Sequence, residues 1–182
     1  MVSRVYSRWK ETGLLKRVEN KKRLFYEEKK SIIGEMLNEY SRHINGPYEN
    51  GQNGAIILAV VGGKLSEGIN FSDNLGRLVL MVGLPFPNLK SQELQERIAF
   101  YENLCKQQGK PIDNYSENIC MKAVNQSIGR AIRHKDDYAA VLLVDSRYKQ
   151  QRIQSKLPKW MCMDIKVSNP FSETFGELKK VI

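Results

Sequence analysis

The chain has few cysteines and no long apolar run. Its three cysteines, Cys105, Cys120 and Cys162, include no Cys-x-x-Cys spacing, which argues against a disulfide framework and against a zinc or iron–sulphur site within the chain. The longest apolar run, residues 55–61, is far shorter than the ~20 residues of a membrane span. The N-terminus lacks the apolar block and cleavage site of a signal peptide. We therefore expect no metal site in the chain and no membrane contact.

Positive charge is abundant and unevenly placed. Lys and Arg number 29 against 20 Asp and Glu, a net charge of +9. The first thirty residues hold ten basic and four acidic residues, and residues 146–166 hold six and one. Two basic segments favour a phosphate-bearing partner such as DNA, although solvated helical faces explain the charge equally well. With 182 residues, 41% of them hydrophobic, the chain suits a single domain over residues 1–182.

Hydrophobic periodicity predicts an α/β fold. Two amphipathic helices, one ending near Gly13 and one over residues 32–44, make residues 1–50 a helical N-terminal part. Apolar strands are predicted at residues 55–61, 78–82 and 139–144, helices at 91–107, 117–134 and after Pro170, and a further strand at 163–167. This alternation predicts a parallel sheet with helices on both faces over residues 55–167. Ligands bind beyond the carboxyl ends of such strands, which draws attention to the loops at residues 62–73, 83–88 and 145–147.

A glycine-rich segment, GGKLSEGINF at residues 62–71, follows the first of these strands. Its glycines would let backbone N–H groups approach a phosphate, and Lys64 and Ser66 add a cation and a hydroxyl. The segment is not a Walker A loop, because Leu65 follows Gly63-Lys64 and the earlier glycine is missing. A tight strand-to-helix turn is the alternative interpretation.

An arginine-rich segment, QSIGRAIR, begins at Gln126. On the predicted helix, Gln126, Arg130 and Arg133 would share one face, because they are spaced by four and three residues. Two guanidiniums and an amide could hold the terminal oxygens of a triphosphate, as arginine fingers do. Gly129 costs ~1 kcal/mol inside a helix relative to Ala, so we expect another backbone to approach it closely. A basic solvated face is the alternative.

Together the strings GKLSEGINFSD and QSIGRAIRHKDDY resemble motifs V and VI of superfamily-two helicases. The iron–sulphur-cluster, DEAH-related DNA helicases carry near-identical strings. The variant with Asn70, together with MVGLPFPN and ENICMKAVNQSIGRAIRH, is similar to the Chl-type cohesion helicases. The resemblance covers most of the chain and is strongest over residues 55–159.

The resemblance implies a RecA-like lobe of the P-loop NTPase type, the second of two ATPase lobes. In that lobe one group would reach the γ-phosphate of ATP held by the first lobe: Gln126, Arg130 and Arg133. A second group would lie near the nucleotide ribose: Glu67, Gly68 and Asn70. A third would lie toward the DNA backbone: Gly63, Lys64 and Ser66. Many relatives have Asp where this chain has Asn70, so the acceptor oxygen is kept and the charge is lost.

The family's other motifs are missing from the chain, which has no Walker A, no DEAH and no cysteine quartet. The resemblance places them in the first lobe, which would bind most of the ATP and Mg²⁺ and would carry the 4Fe–4S cluster. Because the chain lacks these motifs, we expect it to be inactive in isolation. The resemblance also places the first strand of this lobe before Met1, which would leave a sheet edge unpaired or a core face exposed. The intact enzyme would be a nuclear helicase acting on single-stranded or forked DNA, five-prime to three-prime, in DNA repair and sister chromatid cohesion.

Two other functions remain open at this stage. A non-catalytic DNA-binding or regulatory module would use the same basic surface, and an RNA-directed relative is a third interpretation. Single residues carry less information. His43 and His134 have no partner motif, and Cys120 is expected in the core. Trp9 and Trp160 are expected to be packing anchors, with base stacking the alternative for Trp160.

Overall fold

A computed structural model describes residues 2–26, 33–47, 51–67, 69–168 and 170–180. By their contacts, the residues form two compact units: Met1–Arg77 with Arg130–Tyr138, and Leu78–Gly129 with Ala139–Ile182. The single-domain assignment and the boundaries at residues 50, 55 and 167 stay predictions. Among the described helices, none has the length and apolar character needed to cross a membrane.

The first unit is built on a parallel pair of strands. Strand β1 (Arg23–Tyr26) pairs with β2 (Ala55–Leu58), with Arg23 opposite Ala55 and Tyr26 opposite Leu58. Its described helices are α1 (Val2–Glu11), α2 (Leu14–Glu19), α3 (Ile33–Asn45) and the single turn α4 (Lys64–Glu67). A 3-10 turn, Asp73–Leu75, follows. Gly13 separates α1 from α2 at a φ of 72°, a left-handed conformation that favours glycine.

Three aromatic rings pack edge-on against one another in the first unit. The Tyr40 ring on α3 meets Phe25 of β1 edge-on at 5.5 Å and Phe71 at 6.0 Å between ring centroids. Tyr40 is buried, and its hydroxyl donates to the carbonyl oxygen of Leu75 at 2.6 Å. Burial raises the pKa of Tyr40 to about 12, which keeps the phenol a hydrogen-bond donor. Helix α3 therefore holds the segment from Phe71 to Leu75 at both of its ends.

The second unit is built on another parallel pair. Strand β3 (Leu78–Val82) pairs with β4 (Ala140–Val144), Leu78 opposite Ala140. Its described helices are α5 (Gln92–Gln107), α6 (Tyr115–Ile128), α7 (Gln151–Gln154), α8 (Lys159–Cys162) and α9 (Phe171–Leu178). Asn114 caps α6 by accepting the backbone N–H of Glu117 at 3.0 Å, a typical N-cap bond. The apolar face of α6 is fully buried at Cys120, Val124 and Ile128.

Because β3 and β4 are parallel, the loops after them meet. The backbone N–H of Gly83 donates to Val144 at 3.0 Å, and the Tyr148 hydroxyl donates to Gly83 at 3.3 Å. Arg147 donates through Nε and Nη2 to both carboxylate oxygens of Asp145, at 2.8 and 2.7 Å. Its guanidinium also lies 5.5 Å from the Phe86 ring centroid. Hydrogen bonds from Arg147 lower the pKa of Asp145 to about 2, against the opposing effect of burial.

Most of the predicted elements are confirmed. Strand β3 has the predicted bounds, the α/β class and the parallel pairing hold, and α1, α3, α5 and α9 are present. Several elements were not predicted, among them α2, β1 and α8. Among the described residues the strands form two separate pairs, and β3 exposes Leu80 (53%) and Val82 (70%), although both faces were expected to be covered.

Two predicted elements are wrong. Residues 163–167 form no strand but an irregular segment, in which Met163 is 86% exposed. The helix predicted for residues 117–134 ends at Ile128. It ends there because the main chain turns toward residues 69–71, with the backbone N–H of Phe71 donating to Arg130 at 2.9 Å. Arg130 and Arg133 are therefore not on a helical face with Gln126.

Candidate functional site

The glycine-rich segment forms a turn between β2 and α4. Gly62 has a φ of 79°, which glycine adopts without strain. The backbone N–H of Gly63 donates to Val60 at 2.9 Å. Leu65 is buried and Lys64 is exposed, so the lysine amine faces solvent. For the predicted residues Ser66 and Glu67 only the backbone is described, and Gly68 lies outside the described residues.

The two motif segments meet at Arg130. Its Nη1 donates to the carbonyl oxygen of Ile69 at 2.8 Å, and its own carbonyl oxygen accepts the backbone N–H of Phe71 at 2.9 Å. Arg130 therefore bonds the chain on either side of Asn70. We call this meeting point of residues 69–71 and 130–133 the junction. It also contains Arg133, whose Nη2 donates to the Asn70 side-chain oxygen. Three predicted site residues, Asn70, Arg130 and Arg133, are thus brought together.

Gly76 packs against the junction, next to Phe71 and Ala131. A β-carbon at this position would lie 2.5 Å from the carbonyl oxygen of Phe71 and 3.3 Å from the β-carbon of Ala131. Only glycine allows these backbones to approach so closely. Gly129, where a close approach was expected, instead meets its own helix, with Asn125 O at 3.3 Å. The glycine required for packing is therefore Gly76.

Asp137 organises the charges around the junction. Its side chain is fully enclosed (0% exposed) and pairs with Arg77 Nη1 at 3.0 Å. It also accepts the backbone N–H groups of Arg133 at 3.2 Å, Asp73 at 3.4 Å and Tyr138 at 3.0 Å. Burial opposes ionisation, but the hydrogen bonds outweigh it and hold the pKa of Asp137 below its ordinary value. An ionised carboxylate therefore fixes the backbone at Arg133.

Asp73 and His134 lie at the edge of this network, with His134 Nε2 3.1 Å from Asp73 Oδ1. Asp73 has a positive φ of 54°, which Asp tolerates better than most residues. Ligand atoms of Asp73, His134 and Asp137 lie within 4.8 Å of one another. Because Asp137 is already occupied by Arg77 and backbone N–H groups, this geometry favours an ion-pair network over a metal site.

Gln126 belongs to the second unit, where it lies exposed on α6 beside an open cleft of about 480 Å³. The cleft is also lined by Asn118, Lys122 and Asn125. Asn125 donates through Nδ2 to the carbonyl oxygen of Lys156 at 2.8 Å. This bond orients its amide, whose Oδ1 is buried with no hydrogen-bond partner in the described part of the chain.

A buried carboxylate anchors the same helix at its other end. The Glu117 side chain is 3% exposed and pairs with Lys156 Nζ at 3.0 Å and with Arg152. Lys156 also donates to Asn118 at 2.6 Å. Arg152 is 59% exposed and Lys156 20% exposed, so solvent screens the pair with Arg152 more than the pair with Lys156. The segment after β4 is therefore attached to α6 at Glu117 and again at Asn125, one residue before Gln126.

Sequence reasoning missed the residues that hold the junction: Arg77, Asp137 and Gly76. The string HKDDY contained Asp137, but its partners Arg77 and Asp73 lie 60 and 64 residues away in the chain, and no local spacing indicates them. His134 was assigned no partner, and the structure gives it Asp73. The two units together give an α/β fold with parallel strands and a cluster of arginines held by the segment after β2.

Comparison with known proteins agrees with this fold. The family model described as the helicase C-terminal domain matches residues 1–163. ATP-dependent DNA helicase DDX11 of Mus musculus is 47% identical over 182 residues, covering 97% of this chain and 20% of the mouse protein. ATP-dependent DNA helicase chl1 of Schizosaccharomyces pombe is 43% identical over 174 residues, covering 93% of this chain and 20% of the yeast protein. The solved structure of S. tokodaii Xpd4 matches with a TM-score of 0.47 and 24% identity, covering 76% of this chain and 25% of that chain.

The family match defines the class as a helicase C-terminal domain with a RecA-like α/β fold. The chain belongs to the helicase C-terminal domain family, and it is similar to the DDX11 and Chl1 helicases over most of its length. It spans only 20% of the length of these relatives.

Proposed function

We propose that this chain is the C-terminal ATPase lobe of an ATP-dependent DNA helicase and that Arg130 and Arg133 are its arginine fingers. The observation that carries the proposal is the junction at Asn70, where both arginines are bound by the segment after β2. Two guanidiniums stand on one short loop, whose backbone Asp137 binds at Arg133, and they give this loop a cationic surface. Such a surface suits the terminal phosphate of a nucleotide held by a facing lobe.

In the proposed reaction, water attacks the γ-phosphorus of ATP and ADP leaves. Charge spreads over the phosphoryl oxygens in the transition state, and the two guanidiniums would donate hydrogen bonds to them. In the contacts that the structure describes, Arg130 Nη1 donates to a backbone carbonyl oxygen and Arg133 Nη2 to an amide oxygen, both of them neutral acceptors. A phosphate oxygen is the stronger acceptor, because charge-assisted bonds are about twice as strong as neutral ones. When the nucleotide binds, the two guanidiniums would therefore exchange their bonds to Ile69 and Asn70 for bonds to phosphate oxygens.

Gln126 would complete the γ-phosphate contacts through its exposed amide. Asn70, with Glu67 and Gly68, would lie near the ribose. Because the Asn70 oxygen already accepts from Arg133, a ribose hydroxyl and Arg133 would compete for the same acceptor. Binding of the nucleotide would then favour release of Arg133 toward the phosphate.

The DNA side of the proposal rests on the turn after β2. Gly63, Lys64 and Ser66 would contact the backbone of single-stranded or forked DNA, and the exposed Lys64 supports this role. Opening and closing of this lobe against the first would move the strand, with five-prime to three-prime polarity expected. A nuclear location and roles in DNA repair and sister chromatid cohesion belong to the same proposal.

The first lobe would supply the P-loop lysine and most contacts to ATP and Mg²⁺. A 4Fe–4S cluster needs four thiolates, whereas this sequence has three cysteines, of which Cys105 and Cys120 are buried. The residues present do not fit the cluster, so in this proposal it belongs to another part of the intact protein.

The decisive experiment measures DNA-stimulated ATP hydrolysis by this chain alone, by a matching first lobe alone and by their mixture. We expect hydrolysis only in the mixture. Arg130→Ala should reduce the rate of the mixture ~10³–10⁵-fold, as removal of an arginine finger does. Arg97→Ala is the matched control, because Arg97 is exposed on α5 and pairs only within its helix, with Glu93 at 2.8 Å.

Three outcomes would contradict the proposal. Hydrolysis by the chain alone would require a nucleotide site that we have not identified. An Arg130→Ala mixture that keeps more than about a tenth of the rate would remove the finger role, given the losses expected for such residues. DNA binding without hydrolysis in any mixture would favour a non-catalytic DNA-binding or regulatory module.

A further inference from the structure

Helix α5 carries an apolar groove on its exposed face. Of its sixteen residues only Leu94 and Cys105 are buried, while Phe100 is 71% exposed and Leu104 39% exposed. These two residues are four positions apart, so they lie on one face of the helix. Exposed aromatic and aliphatic side chains placed together in this way are typical of interaction sites.

The groove lies along α5 and extends to Tyr115 of α6. It is an open cleft of about 520 Å³, with Phe100, Tyr101, Leu104 and Tyr115 forming its apolar end. The rings of Tyr101 and Tyr115, from α5 and α6, lie 5.0 Å apart and form one wall. Along α5 the lining runs from residue 93 to residue 104, about 16 Å at the helical rise. This length matches roughly three turns of a helix laid in the groove.

The polar end of the groove is acidic. It is lined by Glu93, Glu96 and Arg97. Arg97 and Glu93 neutralise each other at 2.8 Å. Within the described part of the chain, Glu96 accepts a hydrogen bond from the neutral amide of Gln92 at 3.0 Å and has no cationic partner. The remaining negative charge would repel phosphates. It is complementary to a lysine or arginine, which distinguishes this surface from the basic segments of the chain.

We propose that this groove binds an amphipathic helix of a protein partner that carries two apolar anchors, three or four residues apart, and a Lys or Arg one turn away. The anchors would pack on Phe100 and Leu104 between the tyrosines, and the cation would pair with Glu96. This mode of recognition places apolar residues of a helix in an apolar groove. The proposal is independent of the ATPase chemistry.

The test uses a displayed library of random peptides of about sixteen residues, enough for four helical turns. The library is first depleted on the double variant Phe100→Ser, Leu104→Ser and then selected on the natural chain. We expect enriched peptides to share the apolar pair and the basic residue. Their affinity should fall at least about tenfold on the double variant, as for interface anchors, and several-fold on Glu96→Lys. Phe171→Ser, which removes a phenylalanine that is 75% exposed on α9, should leave the affinity unchanged.

Thermal melting of each variant checks folding, which should persist because the substituted side chains are exposed. The proposal is overturned if no enriched peptide depends on Phe100 and Leu104, or if the peptides lack a basic residue and ignore Glu96→Lys. Loss of single-stranded DNA binding by the double variant would instead assign the groove to nucleic acid. Loss of self-association by the same variant would assign it to a second copy of the chain.

Discussion

At the scale of single residues, the junction at Asn70 has the clearest chemistry. Three predicted site residues meet there, and one glycine, Gly76, and one carboxylate, Asp137, that the sequence did not single out shape their surroundings. The spacing of Gln126, Arg130 and Arg133 predicted a shared helical face, which the structure does not show because α6 ends at Ile128. The role of the three side chains stays a prediction. The contact that positions Arg130 joins residues 69 and 130, and no local pattern encodes a bond across that distance.

Asn70→Asp tests the Arg133 contact. A carboxylate in place of the amide would turn a neutral acceptor into an ionised one, so we expect the free energy of unfolding to rise by ~0.2–1 kcal/mol at low salt, as for exposed ion pairs. Urea denaturation measures this, and the gain should fade as salt screens the pair. Asn70→Ser, which adds no charge, should show no gain. A neutral or destabilising effect of Asn70→Asp at low salt would mean that Arg133 lies elsewhere in solution.

At the scale of helices and strands, the best-predicted element is one that consists of an uninterrupted apolar run. Strand β3 was predicted with its observed bounds because five apolar residues stand between polar ones. Strand β1 was missed because its four residues, RLFY, stand in a highly charged stretch and are recognisable only by their pairing with β2. The end of α6 was missed because it depends on the turn toward Phe71, whereas helical periodicity continues beyond it in the sequence.

The loops after β3 and β4 give a pH-dependent prediction. The pKa of Asp145 is lowered to about 2 by Arg147, so its contribution to stability is present above the unfolded pKa, ~4, and is lost as pH falls toward 2. We expect Asp145→Asn to lower the melting temperature by roughly 2–4 °C at neutral pH, since the pair is partly exposed. The difference between variant and natural chain should shrink below pH ~4.

Circular-dichroism melts from neutral pH down to about pH 2.5, within the range where carboxylates titrate, measure this difference. Glu93→Gln is the control, because Glu93 pairs with Arg97 on the surface of α5. A constant difference between Asp145→Asn and the natural chain across the whole pH range would show that ionisation of Asp145 is not the source of its effect.

At the scale of the whole molecule, the structure revises the interpretation of charge. For residues 146–166 the sequence left two interpretations open, a phosphate-bearing partner and a solvated helical face, and four of their six cations pair with carboxylates of the same unit. Arg147 binds Asp145, Arg152 and Lys156 bind Glu117, and Lys166 binds Glu177. Most of the positive charge of residues 146–166 is therefore used in ion pairs within the second unit. In the N-terminal segment, by contrast, Lys16, Arg17 and Lys21 are exposed.

DNA binding should accordingly depend more on the N-terminal basic segment. We expect Lys16→Glu with Arg17→Glu to weaken binding to single-stranded DNA. The same change should reduce the slope of log affinity against log salt by ~1.4, about 0.7 for each lost phosphate contact. Fluorescence anisotropy at several salt concentrations measures both quantities. Lys106→Glu, an exposed lysine of α5 outside both basic segments, is the control. An unchanged slope would mean that Lys16 and Arg17 do not contact DNA phosphates.

The two attachments of Tyr40 have a further consequence for how this chain can vary. The ring packs on Phe71 and the hydroxyl bonds Leu75, while Gly76 leaves no space for a side chain against Phe71. The five residues from Phe71 to Leu75 therefore act as a spacer of fixed length. An insertion or a deletion within them must break one attachment, so length variation is expected to be tolerated outside this segment and not within it.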